Sequence, residues 1–170
     1  TNQEQPRFQP TLLRPILEGV SADLQVSDGV QIEVICSPDI AALSDPDLVE
    51  QTVVNLAANA AKHTHEGSIV LAAREGNGRR VVIAISDTGS GIPSSEQARV
   101  FDRFFRGDDQ GEGFGLGLAI VRQSVRALGG KVSVRSRDNA GTTVEVMLPA
   151  AGGDSDDPSQ SRAIDGDRTA

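Results

Sequence analysis

SDPDLVEQTVVNLAANAAKH, residues 44–63, is the stretch on which the fold turns. Ser44 or Asp45 offers an N-cap oxygen, and Pro46 suits a first helical turn. The pattern predicts a helix over 46–63. At about 100° per residue, Leu56, Val49, Ala60 and Val53 form one apolar arc. Asn55, Asn59, Lys62 and His63 fall at i, i+4, i+7 and i+8 and make a polar stripe beside it. Val54, Ala58 and Ala61 lie beyond the stripe's other edge. Amides hemmed in by apolar neighbours face a partner or a site, because an unpaired buried amide costs about 1–3 kcal/mol. The same stripe also suits an ordinary amphipathic helix facing water.

Working outward, the pattern alternates between strands and helices. Residues 11–21 carry Leu12, Leu13, Ile16, Leu17 and Val20 at helical spacing. QIEVIC at 31–36 reads as a strand. SIVLAA at 68–73 and RVVIAIS at 80–86 read as a hairpin turning at 75–78. KVSVRS at 131–136 and TTVEVML at 142–148 read as a second hairpin, turning at 138–141. A last helix is predicted over 116–128, stopped by Gly129-Gly130. Two hairpins, one further strand and three helices predict an α+β fold. Its form is a two-layer α/β sandwich, with a mixed sheet of about five strands and three helices on one face. Residues 1–9 read as a loose N-terminal segment, 10–150 as the folded body and 151–170 as a disordered acidic tail.

Composition narrows the function classes. Aromatics make up 3% of the chain, with no Trp or Tyr, so the core must be Val, Ile, Leu and Ala. The net charge of −8 argues against a general nucleic-acid binder. Cys36 is the single cysteine, which leaves neither a disulfide framework nor a cysteine metal cluster. Its expected role is that of a small hydrophobe in a reducing compartment. The longest strongly apolar run, around 81–85, is too short to span a bilayer.

Two glycine segments follow the helix. In DTGSGIP, 87–93, Asp87 ends a strand, where a carboxylate suits the amino group of a base such as adenine and repels the oxo group of guanine. Gly89 and Gly91 permit unusual backbone angles and close approach of a flat ligand. A polar strand-to-loop turn is the plainer reading. In GFGLGLAI, 113–120, Gly113, Gly115 and Gly117 run into a helix, so backbone N–H groups and the helix N-terminus suit phosphate. A plain loop before a helix suits the segment equally. It is not the dinucleotide fingerprint, because position 118 is Leu118. The chain has no GxxxxGK[ST], HRD or DFG. Between these segments, Phe101, Arg103, Phe104, Phe105 and Arg106 read as part of a lid, with an Arg able to reach a phosphoryl group. The alternative is that the Phe residues are plain core and the Arg residues solvated, and for the Phe residues that reading is preferred here. On the stripe itself, the Asn59 side-chain oxygen suits Mg²⁺, and Lys62 suits a phosphate as a point charge.

The ordered set NLAANAAKH, DTGSGIP, FDRFFR and GFGLGLAI resembles the N, G1, F and G2 boxes of sensor histidine kinases. They belong to the ATPase superfamily shared with type II topoisomerases, a heat-shock chaperone family and mismatch-repair proteins. The resemblance covers roughly residues 10–150 and implies the Bergerat α/β sandwich. It implies Asn59 as the Mg²⁺ ligand, Asn55 as its companion facing the phosphates, Lys62 as a phosphate contact and His63 as the ring beside the nucleotide. Asp87 would read adenine, with Gly89 and Gly91 beneath the base. Arg106 would approach the γ-phosphate, making Asn55, Lys62 and Arg106 the catalytic set. Gly113, Gly115 and Gly117 would form the lid hinge and phosphate loop, and Ile92, Phe104, Leu116 and Leu118 would join the ATP contacts. Two positions depart from the family: Glu112, where Gly is frequent, and Phe114, where Ser or Thr is frequent. A hydroxyl contact to phosphate is then missing, and a negative charge sits near the lid.

The resemblance also implies partners. The γ-phosphoryl group of Mg-ATP would pass to a histidine on a separate dimerisation domain of the same kinase, then to a response regulator. His65-Glu66 is an unsuitable acceptor because it follows the asparagine helix directly. The expected piece is a monomeric cytoplasmic catalytic domain of a membrane-anchored sensor, touching neither nucleic acid nor membrane. Three other readings compete. A hydrolysing ATPase would place a Glu one turn before the metal Asn, where this chain has Asn55. A serine kinase of the anti-sigma type fits the F box less well. A scaffold with a decayed pocket is disfavoured by the intact Asn59, Asp87 and glycines.

Overall fold

Asp45 sets the first decisive boundary. In the computed structural model, which describes residues 4–102 and 114–152, its carboxylate accepts from the N–H groups of Asp47 (3.0 Å) and Leu48 (3.3 Å). The long helix therefore starts at Pro46, as expected. The elements in chain order are β1 (Gln9–Leu12), α1 (Leu13–Asp23), β2 (Gly29–Cys36), β3 (Ala41–Ser44) and α2 (Pro46–His63). They continue with β4 (Glu66–Gly76), β5 (Arg80–Asp87), the single-turn α3 (Ser94–Gln97), α4 (Phe114–Ala127), β6 (Lys131–Ser136) and β7 (Thr142–Pro149).

The main sheet has the order β2-β4-β5-β7-β6. β2 runs parallel to β4 and the other neighbours are antiparallel, giving the mixed five-stranded sheet the sequence predicts. Both predicted hairpins are present. The first turns through Gly78 and Arg79 at φ 66° and 56°, the second through Asn139 and Gly141 at φ 56° and 88°. These left-handed angles match the twist of the flanking strands. α1, α2 and α4 cover one face of the sheet.

Among the described residues the buried hydrophobic side chains are all Leu, Val, Ile and Ala. α2 contributes Val49, Val53, Leu56, Ala57 and Ala60, which contains the arc read from periodicity. α1 contributes Leu13, Leu17 and Val20. α4 ends where Gly129, at φ 74°, lets the Gly130 N–H reach the Val125 carbonyl at 2.9 Å.

Three features lie outside the sequence expectation. β1 and β3 form a separate antiparallel ribbon, and Ala42 bridges to Ala150. Residues 11 and 12 are therefore extended, and α1 begins at Leu13 rather than at 11. The N-terminal segment is tied to the body as well: the Arg7 N–H donates to Asp45 Oδ2 at 2.8 Å. α4 begins at Phe114, so Gly115 and Gly117 sit inside its first turn rather than in a loop before it.

Candidate functional site: a crevice between two helices and the sheet

The crevice lies where the C-terminal half of α2, the start of α4, the end of β5 and the start of β7 converge. Its walls include Leu56, Asn59, Ala60 and His63 from α2, Ile85 and Asp87 from β5, and Gly91 and Ile92 from the following loop. Leu118 of α4, Val134 of β6, and Thr142 and Val144 of β7 complete it. The lining is mostly aliphatic with a few polar groups, the usual character of a small-molecule site.

Asp87 is the acid in this lining. The Gly89 N–H donates to its Oδ1 at 2.8 Å, and the Thr142 backbone N–H also bonds its carboxylate. Burial pushes its pKa above the ordinary carboxylate value, and the two N–H donors pull the other way without cancelling the rise.

Asn59 faces the same space. Its Nδ2 is buried and has no hydrogen-bond partner among the described residues. Gly117 in the first turn of α4 lies beside it, and a Cβ there would meet Asn59 Nδ2 at 3.7 Å. His63 is half-buried in the crevice wall. Asn55 is half-buried one turn earlier and lies outside the lining, and Lys62 is exposed. Val54 and Ala58 are exposed, so that part of the stripe's second apolar border meets solvent, whereas Ala61 packs partly against the core. His65 falls in the short connection from α2 to β4.

The glycines of the 88–93 loop answer to the protein's own backbone. A Cβ on Gly89 would run into the His63 carbonyl at the end of α2, and one on Gly91 into the Arg137 carbonyl. Gly91 also has φ 74°, a conformation that favours glycine. Gly91 lines the crevice, whereas Gly89 is the packing contact behind it. The loop is clipped to the β6–β7 hairpin. The Ile92 N–H donates to Ser136 Oγ at 2.7 Å, and Gln97 Nε2 donates to the carbonyls of Ile92 (3.0 Å) and Ser136 (2.8 Å). The Asn139 N–H reaches the Ser90 carbonyl at 2.7 Å.

Of the residues singled out from sequence, the structure brings together Asn59, His63, Asp87, Gly91, Ile92 and Leu118 in one lining. Gly115 and Leu116 fall in the first turn of α4. Phe104, Arg106, Glu112 and Gly113 lie outside the described residues. Phe101 packs against the core, as the core reading expects. Thr142, Val134 and Val144 escaped the sequence reading. Only strand alternation marks them, and alternation gives a face without saying what it looks onto.

Fold and crevice together define an ATP-binding domain of the Bergerat type. The profile of the family described as "Histidine kinase-, DNA gyrase B-, and HSP90-like ATPase" matches residues 44–152. The chain belongs to this family, and its domain is the histidine-kinase catalytic ATPase. "Sensor-like histidine kinase SenX3" of Mycobacterium tuberculosis is 35% identical over 156 residues, 86% of this chain and 38% of that protein. The structure of full-length ShkA in complex with AMPPNP matches with a TM-score of 0.79 at 30% identity, over 90% of this chain and 33% of that one. The mycobacterial sensor histidine kinase MprB matches with a TM-score of 0.73 at 29% identity, over 84% of this chain and 98% of that one. The chain thus spans well under half the length of its SenX3 relative. No helix among the described residues is long and apolar enough to cross a membrane.

Proposed function

We propose that this domain binds Mg-ATP in the α2–α4 crevice and presents the γ-phosphoryl group to a histidine on a separate dimerisation domain of the same kinase. A response regulator would then receive it. The observation that carries the reading is the pairing of Asp87 and Asn59 across one apolar-walled crevice, with a buried Asn59 donor left unsatisfied. A purine amino group suits the Asp87 oxygens, and aliphatic walls suit its ring faces. The orphan donor of Asn59 suits an anionic oxygen, and the oxygen of the same amide suits a hard cation. Among the described residues no three His, Cys, Asp or Glu gather as a metal cluster, so Asn59 would share the Mg²⁺ with the phosphates.

Mg²⁺ would neutralise phosphate charge when bound. The chain's own contribution is positioning. Asp87 fixes the base end, Asn59 orients the polyphosphate, and the first turn of α4, with Gly115 and Gly117, offers backbone N–H groups. Asn55, Lys62 and Arg106 supply the remaining polar contacts in this proposal, with His63, Ile92, Phe104, Leu116 and Leu118 around the nucleotide. Gly113 would hinge the segment before α4. The donor histidine kinase would be a cytoplasmic region of a membrane-anchored sensor.

The test is to mix the domain with a cognate dimerisation domain and labelled ATP. Acid-labile, base-stable label on the partner's histidine is expected. Label appearing only as released phosphate would replace this reading with a hydrolysing ATPase. Asn59→Ala should abolish the Mg²⁺ dependence of ATP binding in calorimetry, and retained dependence would place the metal on another residue.

A further inference from the structure

We infer that the acidic segment 153–170 docks within its own chain onto the basic groove between the C-terminal half of α4 and the start of β6. This groove is separate from the nucleotide crevice, so the inference does not rest on the proposed function. Its walls are Phe101, Arg122, Val125, Arg126, Gly130, Lys131 and Val132. Arg122 and Arg126 stand one turn apart on the same face of α4, and Lys131 opens β6 beside them. None of the three belongs to an ion pair among the described residues. Asp102 borders the adjoining recess with Arg122 and Arg126, and among the described residues its one charge leaves the cluster net positive. Like charges at i, i+4 destabilise a helix slightly, and an opposing anion would relieve them.

Charge complementarity and reach select the occupant. Residues 153–170 contain five Asp and two Arg, −3 of the chain's −8, and Asp154, Asp156 and Asp157 crowd its start. The chain leaves the described fold at Gly152, just after the Ala151 N–H donates to the Ala41 carbonyl. The Ala150 N–H donates to the Arg79 carbonyl, and Arg80 Nη1 donates at 3.4 Å to the carbonyl of Gly129 at the groove's end. Along β7, Met147 pairs with Lys131. From Met147 to Gly152 is a span of five residues, roughly 17 Å if extended. The 18 residues beyond Gly152 reach up to about 60 Å. The Asp cluster can therefore turn back onto Arg126 and Lys131 with chain to spare, and Phe101, Val125 and Val132 give it an apolar floor.

The test uses the full 170-residue chain, ¹⁵N-labelled, with a nitroxide at Ser159→Cys on a Cys36→Ser background. At about 0.05 M salt, amide intensities over the groove residues 125–132 should fall roughly two-fold, and they should recover near 0.5 M, where the Debye length shortens to a few ångström. Replacing Arg122, Arg126 and Lys131 together by Gln should remove the effect while the thermal melt stays within a few degrees. As a label-free check, Asp154→Asn, Asp156→Asn and Asp157→Asn combined should shift the same groove amides. Broadening centred on the Arg74, Arg135 and Glu145 face, or broadening insensitive to the Gln variant, would overturn the inference. Broadening that appears only when spin-labelled and ¹⁵N-labelled molecules are different copies would overturn it too.

Discussion

Asp87 carries two opposed demands. Its carboxylate is half-buried, and that burial raises its pKa, yet as an acceptor for a purine amino group it works best ionised. Between the ordinary carboxylate value and the raised one, the native state holds a proton the unfolded chain has released. Stability therefore falls as pH rises through that window and levels off above it. Asp87→Asn keeps an oxygen for the Gly89 N–H and removes this loss. The variant should melt at or above the parent temperature at neutral pH, with the difference vanishing below the ordinary carboxylate value. Under the proposed function its adenine-nucleotide affinity should collapse, and that of the parent should weaken as pH falls through the raised pKa. Calorimetry and thermal melts across pH check both. Gly89→Ala is the steric counterpart. Its methyl group meets the His63 carbonyl, so a loss of more than about 1 kcal/mol is expected in urea unfolding, with weakened nucleotide binding.

Among the elements, α2 shows how far local chemistry reaches. A capping carboxylate, a proline at the first position, and Lys62 and His63 in the last turn fix both ends in the sequence itself. Asp45→Ala should cost about 1–2 kcal/mol of unfolding free energy, and Asp45→Asn much less. The N–H bonds from Arg7, Leu48 and Asp47 hold Asp45 below its ordinary pKa, with the Arg7 bond the largest cause. Its contribution is present above the ordinary carboxylate value and is lost as pH falls through the lowered one. Acid melts of parent and Asp45→Asn should therefore converge at low pH. The β1–β3 ribbon shows the opposite case. Its strands are four residues each, β1 contains Pro10, and their pairing spans 29 to 35 positions, so no local pattern announces them. The site divides in the same way. Asn59, His63 and Asp87 were legible because polar groups stood out in an apolar context. Thr142 and Val144 were not, because their meeting with Asp87 depends on β7 lying beside β5, a pairing that no short-range signal encodes.

For the molecule as a whole, the central strands set the stability order. β5 has neighbours on both sides and buries Val81, Val82, Ile83 and Ile85. Its amides should exchange with solvent most slowly, at rates set by global unfolding, while those of the β1–β3 ribbon exchange through smaller openings. Hydrogen exchange read by mass spectrometry tests this ranking, and faster exchange in β5 than in the ribbon would contradict it. The family profile begins at residue 44, yet Leu13, Leu17 and Val30 belong to the core. A piece cut at 44 would strip α1 and β2 from Ile69 and Leu71 and should be far less stable than the longer chain.

The position of β7 has a consequence for the order in which the molecule can be made. Among the described strands β7 is the last in sequence but next to last across the sheet, wedged between β5 and β6. On a ribosome, β2, β4 and β5 can assemble early, while β6 emerges with no partner to dock on. The open flank of β5 stays bare until the β6–β7 hairpin threads into place, so newborn chains are most in need of protection until β7 has emerged.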